Sequence, residues 1–247
     1  MNFFSRLYKL IRYILRPFGP QFRRFGYRLS YIRHFADSDP RRFDWNWNSI
    51  NFNRASVVSL LLSTFKSGNP KYLEIGCGSN ATFDTVPLTE KVGVDPWTGG
   101  NFRGTSDFFF SQNHSLFDVI FIDGHHEYNQ ARRDLENALK VVKPGGFIIL
   151  HDMLPRTWIE EHVPIVSVGA WTGNVWKLAF ELIGTAGVEF KIFKIDCGVG
   201  VVKVNTPDVK LLDLRGELNP RKFSYFADSV GRLPLVDFEQ GKAWIKD

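Results

Sequence analysis

The stretch Lys71-Tyr-Leu-Glu-Ile-Gly-Cys-Gly-Ser-Asn80 sets the tightest limit on what this chain can fold into. An apolar run flanked by Pro70 and Gly76 reads as a buried strand of a parallel sheet, and Gly76 and Gly78 let the backbone behind it turn tightly against a ligand. Nineteen residues after Gly76, a second short strand, Lys91 to Val94, ends at Asp95. An acid at that distance is placed to grip a pair of ribose hydroxyls. The pattern is that of a nucleoside pocket at the edge of a doubly wound sheet.

Alone, the glycine loop also fits a nicotinamide-binding fold, because Gly76-Cys-Gly-Ser-Asn-Ala81 satisfies a GxGxxA pattern and Asp95 would serve the same ribose. Glu74 argues for a different ligand. A carboxylate two residues before the first glycine repels a pyrophosphate, which a helix N-terminus would otherwise bind there, and suits a cationic group. Cys77, between the two glycines, reads as a small packing residue that lines the cofactor loop. With Cys197 as the only other cysteine, the chain has no disulfide framework or thiolate metal site, which fits a reducing cytoplasm.

The alternation of elements extends this reading. Ala55 to Lys66 reads as a helix closed by Gly68 and Pro70, followed by strands at 71–75 and 91–94. A glycine-rich turn leads to a short helix through Phe110 that Ser106 caps, and strand 117–122 follows. Tyr128 to Val142 places Ala131, Leu135, Ala138, Leu139 and Val142 on one helix face, and Pro144-Gly145-Gly146 delivers strand 147–151. Trp171 to Ile183 reads as a helix, and segments 189–195 and 200–204 as an antiparallel hairpin. The fold class expected is α/β, a Rossmann-like, mostly parallel doubly wound sheet closed by that hairpin. The expected division is an arm and connecting segment (1–54), a catalytic domain (55–205) and a C-terminal extension (206–247) that packs on the body.

Residues 1 to 35 hold eight Lys or Arg and no acid, which leaves the rest of the chain near −3 although the whole carries +5. That distribution argues against a nucleic-acid-binding body and assigns the charge to the arm. Leu7, Leu10, Ile11, Ile14 and Leu15 share one helix face, with Arg6, Lys9, Arg12 and Arg16 on its flanks and Pro17 as a stop. Such a basic amphipathic helix is too short to span a bilayer and lacks a signal-peptide cleavage site. Residues 1–16 can lie on an anionic membrane, which would make a cytoplasmic protein peripheral at the inner face, or can pack on the body or on a second subunit of a homodimer.

Through Glu74-Ile-Gly-Cys-Gly78, Asp95, Phe117-Asp-Val-Ile-Phe-Ile-Asp-Gly124 and Lys143-Pro-Gly-Gly146 the chain resembles the class I S-adenosylmethionine (SAM)-dependent methyltransferases over roughly residues 70 to 205. Within that class it is similar to the metal-type O-methyltransferases of the catechol and sugar kind. The resemblance implies that Glu74, Gly76, Cys77, Gly78, Asp95, Pro96, Ser106, Asp107 and Asp123 line the SAM site, with Thr105 beside them. It further implies that Asp123 and Asp152, at the ends of neighbouring strands spaced ~4.8 Å, hold Mg²⁺ or Mn²⁺. The family's third oxygen ligand follows the second acid, and here that residue is Met153. As proton acceptor the register points to His125, with His126 and His151 as alternatives. Trp171-Thr-Gly-Asn-Val-Trp-Lys177 would cover the acceptor, with its tryptophans either stacked on a sugar or aromatic ring or buried in the core. The implied activity is methyl transfer to a hydroxyl of a small molecule or glycan, as in surface-polysaccharide modification. The other readings are an NAD(P)-dependent oxidoreductase and a non-catalytic membrane-associated scaffold.

Overall fold

The computed structural model describes residues 19–65 and 68–246. The helix expected over residues 1–16 lies outside them. The first described element, α1 (Gly19–Arg33), was not expected, because Pro17 read as a stop. Pro20 falls in its first turn, where a missing N–H costs nothing.

Helix α2 (Arg54–Leu62) starts at Asn53, whose side chain accepts from the Ser56 amide while the Ser56 Oγ accepts from the Asn53 amide, a reciprocal capping box. Then come β1 (Tyr72–Ile75), β2 (Lys91–Asp95), a two-residue β3 (Phe102–Arg103), α3 (Ser106–Gln112), β4 (Phe117–Ile122), α4 (Tyr128–Val141) and β5 (Val142–Leu150). Next are α5 (Trp158–Glu161), α6 (Lys177–Ile183), β6 (Val188–Phe193) and β7 (Val199–Val204). The tail carries α7 (Arg215–Leu218), α8 (Phe223–Ser229), β8 (Leu235–Val236) and α9 (Phe238–Lys246).

The eight strands form one sheet in the order β3-β2-β1-β4-β5-β7-β6-β8. The first five run parallel, and β7 pairs antiparallel with both β5 and β6. The Rossmann-like sheet with an antiparallel closing hairpin is thus present. The central strands are apolar on both faces because both are covered. Leu73, Ile75, Ile120, Ile122, Ile148 and Leu150 join one core with α4 and α6, and Tyr72, Val119, Phe121, Phe147 and Ile149 join the other with α2 and α9. Alternate residues along each strand feed opposite cores, the two-residue period of a pleated sheet.

Two elements differ from expectation. The helix read over 171–183 begins only at Lys177, because Gly173 sits at φ +59°, where a Cβ would collide with the His126 carbonyl. The tail does more than pack on the body: β8 adds a parallel edge strand through Ile192 opposite Leu235 and Phe193 opposite Val236. A two-residue pairing leaves almost no periodic signal to read.

Candidate functional site

One cavity of about 1160 Å³ opens beyond the carboxyl ends of β1, β2, β4 and β5, where ligands sit in open parallel sheets. Its inner wall is the loop after β1. Gly76 adopts φ +87° and passes so close to the Asp123 backbone that a Cβ there would collide with it. Gly78, at φ +51°, donates its amide to Asp95 Oδ2 at 2.9 Å. Asp95 Oδ1 accepts from the Trp97 and Thr98 amides at 2.7 and 2.8 Å. Burial opposes its charge, but these amides hold Asp95 below the usual carboxylate range. Cys77 is buried, and burial pushes its thiol up to about 12, so it packs and is no nucleophile. Pro96 and Trp97 line the cavity mouth, Trp97 at 85% exposure.

Glu74 is the penultimate residue of β1, which ends at Ile75 as the 71–75 reading expects. The Glu74 carboxyl shares the face of Tyr72, whose hydroxyl donates to Glu74 Oε2 at 2.6 Å, and it lines the cavity from inside the sheet. Burial raises its pKa to about 7 against the opposing Tyr72 hydrogen bond.

Across the cavity, Thr105 rather than Ser106 caps α3, its Oγ1 accepting from the Phe108 amide at 3.2 Å. Ser106 and Asp107 line the cavity as residues of the first turn. Gln130 links them: its Nε2 donates to Ser106 Oγ at 3.3 Å, Asp107 Oδ1 at 3.4 Å and Asp134 Oδ1 at 3.0 Å. Asp134 is buried, and burial pushes its carboxyl up to about 6. Neither Gln130 nor Asp134 stood out in the sequence, since both look like ordinary polar positions of an amphipathic helix.

The densest chemistry lies where β4 and β5 end. His126 Nδ1 is 3.0 Å from Asp152 Oδ2, and its Nε2 is 3.5 Å from Asp123 Oδ1. His151 Nδ1 lies 3.3 Å from Asp123 Oδ1 and 3.2 Å from Asp152 Oδ2. Arg54 donates to Asp123 Oδ2 at 2.6 Å and, through Nε, to Asp196 Oδ2 at 2.8 Å. Three carboxylates therefore face three basic side chains. Burial works against the charge on Asp123, but the two histidines and Arg54 hold it far below the usual range. Burial likewise opposes the charge on His126, and its carboxylate partners push it up to about 10.

The register that favoured His125 is corrected by the geometry. Both histidines line the cavity, but His125 is 56% exposed and 3.2 Å from Glu127, while His126 lies between Asp123 and Asp152. The cause is the segment Trp171–Asn174. The Trp171 ring stacks on His126 with centroids 5.3 Å apart, and the Trp171 carbonyl lies 3.1 Å from His126 Nδ1. The Asn174 amide donates to the His126 carbonyl at 3.1 Å. Trp171 therefore faces the cavity, whereas Trp176 is fully buried in the core and donates to Glu161 Oε1 at 3.2 Å.

Asp123, His126 and Asp152 each present a ligand atom, all within 4.8 Å of one another. Donors bound to one ion at ~2.1 Å stand roughly 3–4 Å apart, so this set, with one His126 nitrogen taking part, lies near the span that a divalent cation bridges. Both His151 nitrogens are buried at ion-pair distance from the acids; burial opposes the ring's charge, but those acids raise its pKa well above the ordinary histidine value. Met153 supplies nothing: it is buried, with its sulfur over Gly200. In a second cluster, His34, Asp37 and His162, the Lys222 ammonium already sits 3.2 Å from Asp37 Oδ2, and the group is an ion-pair network.

Arg54 and Asp196 were missed in the sequence. Arg54 opens a helix before β1 and carries no motif. Asp196 had a signal, because a hairpin antiparallel to β5 must turn at the edge where Asp152 stands.

With this geometry in place, the sequence model of a methyltransferase domain family matches residues 98–153, the span from the turn after β2 to the residue beyond Asp152. The matched segment covers less than a quarter of the chain and includes both Asp123 and Asp152. Over 163 residues it is 22% identical to an uncharacterized protein of Acanthamoeba polyphaga mimivirus, covering 52% of this chain and 73% of that one. Among solved structures it is similar to an O-methyltransferase from Bacillus cereus in complex with SAH (15% identity, 65% of this chain and 85% of that chain, TM-score 0.45). It is also similar to the MycE methyltransferase of the mycinamycin pathway in complex with Mg and SAH (16% identity, 62% of this chain and 49% of that chain, TM-score 0.41).

Proposed function

We propose that the protein is a SAM-dependent O-methyltransferase whose acceptor is a hydroxyl of a small molecule or glycan. The observation that carries this reading is the convergence, on one cavity, of the Gly76–Gly78 loop with Asp95 and of the inward-turned His126 between Asp123 and Asp152. When bound, SAM supplies an electrophilic methyl group on a sulfonium. Gly76 and Gly78 keep the wall free of side chains, Asp95 takes the ribose hydroxyls, and the Ser106–Gln130–Asp134 group takes the polar edge of the adenine. Glu74, with its carboxyl inside the sheet, receives the ammonium end of the amino acid. That same carboxylate disfavours a diphosphate, which weighs against the NAD(P) alternative.

At the acceptor end His126, held by Trp171 and the Asn174 amide in one orientation, is the proton acceptor in its neutral form, which Asp123 and Asp152 confine to alkaline pH while the site is empty. Asp123 and Asp152 orient it and stabilise the imidazolium that results. Should a cation occupy this site, Asp123, Asp152 and one His126 nitrogen would hold it and it would act as a Lewis acid. A donor set containing imidazole suits Mn²⁺ better than Mg²⁺.

The sugar or surface-polysaccharide acceptor rests on resemblance, as does the division at residues 54 and 205. Association with an anionic membrane through residues 1–16 rests on their charge and apolar spacing. Calorimetric titration with SAH, NAD and NADP, followed by transfer of labelled methyl from SAM into fractionated cell extract, tests the assignment. Binding of SAH alone and label in a hydroxylated product are expected; binding of NAD in place of SAH overturns it.

A further inference from the structure

Helix α1 has two working faces. Tyr27, Ser30, Tyr31 and, just past its end, His34 follow helical spacing and are partly buried. They attach the helix to the body: the Tyr31 ring packs on Trp158 at 5.3 Å, Ser30 Oγ donates to the Ile165 carbonyl at 3.1 Å, and the His34 and His162 rings lie 4.8 Å apart. The opposite side presents Phe25, Leu29 and Ile32, at 60%, 53% and 70% exposure. These three are spaced i, i+4, i+7 and form one apolar stripe. At about 100° per residue, Arg24 and Arg28 run along one margin of that stripe and Arg33 along the other, all exposed. No acidic residue precedes Asp37 in the chain.

We propose that α1 is an interfacial helix that seats the protein on an anionic lipid bilayer, in addition to anything residues 1–16 contribute. An apolar stripe edged by arginines on both sides matches the layering of such a surface, acyl chains below and phosphates to either side. A second copy of this chain is the wrong occupant, since it would bring three more arginines against these three.

The seat bears on the acceptor. The segment under α1 continues into the wall of the cavity: Trp171 Nε1 donates to the His162 carbonyl at 3.0 Å, and the Trp171 ring stacks on His126. Helix α1 thus rests on the structure that frames the acceptor end. Given the methyltransferase reading, on which this last step rests, the acceptor is an amphiphile whose hydroxyl stands at the membrane surface.

Co-sedimentation of the full chain with vesicles of phosphatidylcholine containing phosphatidylglycerol, against phosphatidylcholine alone, tests the seat. Strong partition only into the anionic vesicles is expected. The combined Arg24→Gln, Arg28→Gln, Arg33→Gln variant should lose roughly 100-fold in partition, given the contribution of each basic residue near such a surface. The combined Phe25→Ser, Leu29→Ser, Ile32→Ser variant should lose at least as much. SAH affinity by calorimetry should stay at the wild-type value in both, because none of the six residues lines the cavity. Equal partition into both vesicle types, unchanged partition in either variant, or a wild-type dimer that the serine variant dissociates in the ultracentrifuge would overturn the proposal. A wild-type protein that partitions as expected but binds no SAH removes the methyltransferase reading and the amphiphilic acceptor with it, and leaves the lipid seat standing.

Discussion

Arg54 and Asp123 are joined by a hydrogen bond of 2.6 Å between a guanidinium at the start of α2 and the carboxylate that follows β4. The same guanidinium holds Asp196 from the closing hairpin, so one side chain ties three distant segments at the cavity edge. Removing it leaves two partly buried carboxylates short of a cation. Arg54→Ala is expected to cost about 2 kcal/mol in urea unfolding. Turnover should also fall by more than tenfold, as the freed Asp123 repositions His126. Arg54→Lys should recover most of the stability and little of the turnover, because an ammonium cannot bridge both acids with fixed geometry.

The two adjacent histidines give a sharper test. Only His126 faces both Asp123 and Asp152, and His125 stands in solvent beside Glu127. His126→Gln should lower kcat by roughly 10²–10⁴, the usual worth of a positioned general base. His125→Gln should change it by less than about threefold, within the effect of an exposed substitution. SAH affinity, measured by calorimetry, should be nearly the same in both.

The fold was largely legible because its signals are local and periodic: continuous apolar strands, glycines at tight approaches, and an amphipathic α4. The carboxylates were legible for the same reason, since each follows a strand whose end can be read. What could not be read was which of two neighbouring histidines turns inward. That choice depends on Gly173 and Asn174, nearly fifty residues away, whose backbone meets that of His126. Arg54 was hidden likewise, because a helix-initiating arginine looks like any solvent-exposed one until the sheet edge comes down beside it. The edge strand β8 rests on two residues and a helix glycine, Gly241, packed under the Phe193 ring.

Asp95 organises its loop as well as any ligand, accepting three backbone amides from Gly78, Trp97 and Thr98. Asp95→Asn keeps the volume but removes the charge that those amides and a ribose share. SAH affinity should drop by about 10- to 100-fold, the range of one or two charged hydrogen bonds. At saturating SAM, kcat should be largely retained, which a binding role predicts and a role in proton transfer does not.

Chelation addresses the cation. The donor set of Asp123, Asp152 and His126 mixes oxygen with nitrogen, and an ion that takes one His126 nitrogen leaves the other for the proton. Treatment with a chelator should therefore lower turnover, and Mn²⁺ should restore it at a lower concentration than Mg²⁺. Activity indifferent to chelator would remove the metal and leave the acid-histidine cluster to act alone.

Glu74 predicts a conflict between stability and ligand binding. Burial raises its folded-state pKa from an ordinary 4.5 to about 7. Between those values the native state binds a proton that the unfolded state has lost, so stability falls as pH rises from 4.5 to 7, and above 7 the full penalty persists. Glu74→Gln removes the penalty and keeps an acceptor for the Tyr72 hydroxyl. At pH 8 the substitution should raise Tm by roughly 6–12 °C, as the ~3 kcal/mol separating 4.5 from 7 does in a chain of this size. At pH 4 the two proteins should melt alike, since both then carry a neutral group. The same substitution should weaken binding of SAH, whose ammonium loses its counter-charge, most strongly above pH 7. A variant more stable at pH 8 with undiminished affinity would show that this carboxylate faces no cation.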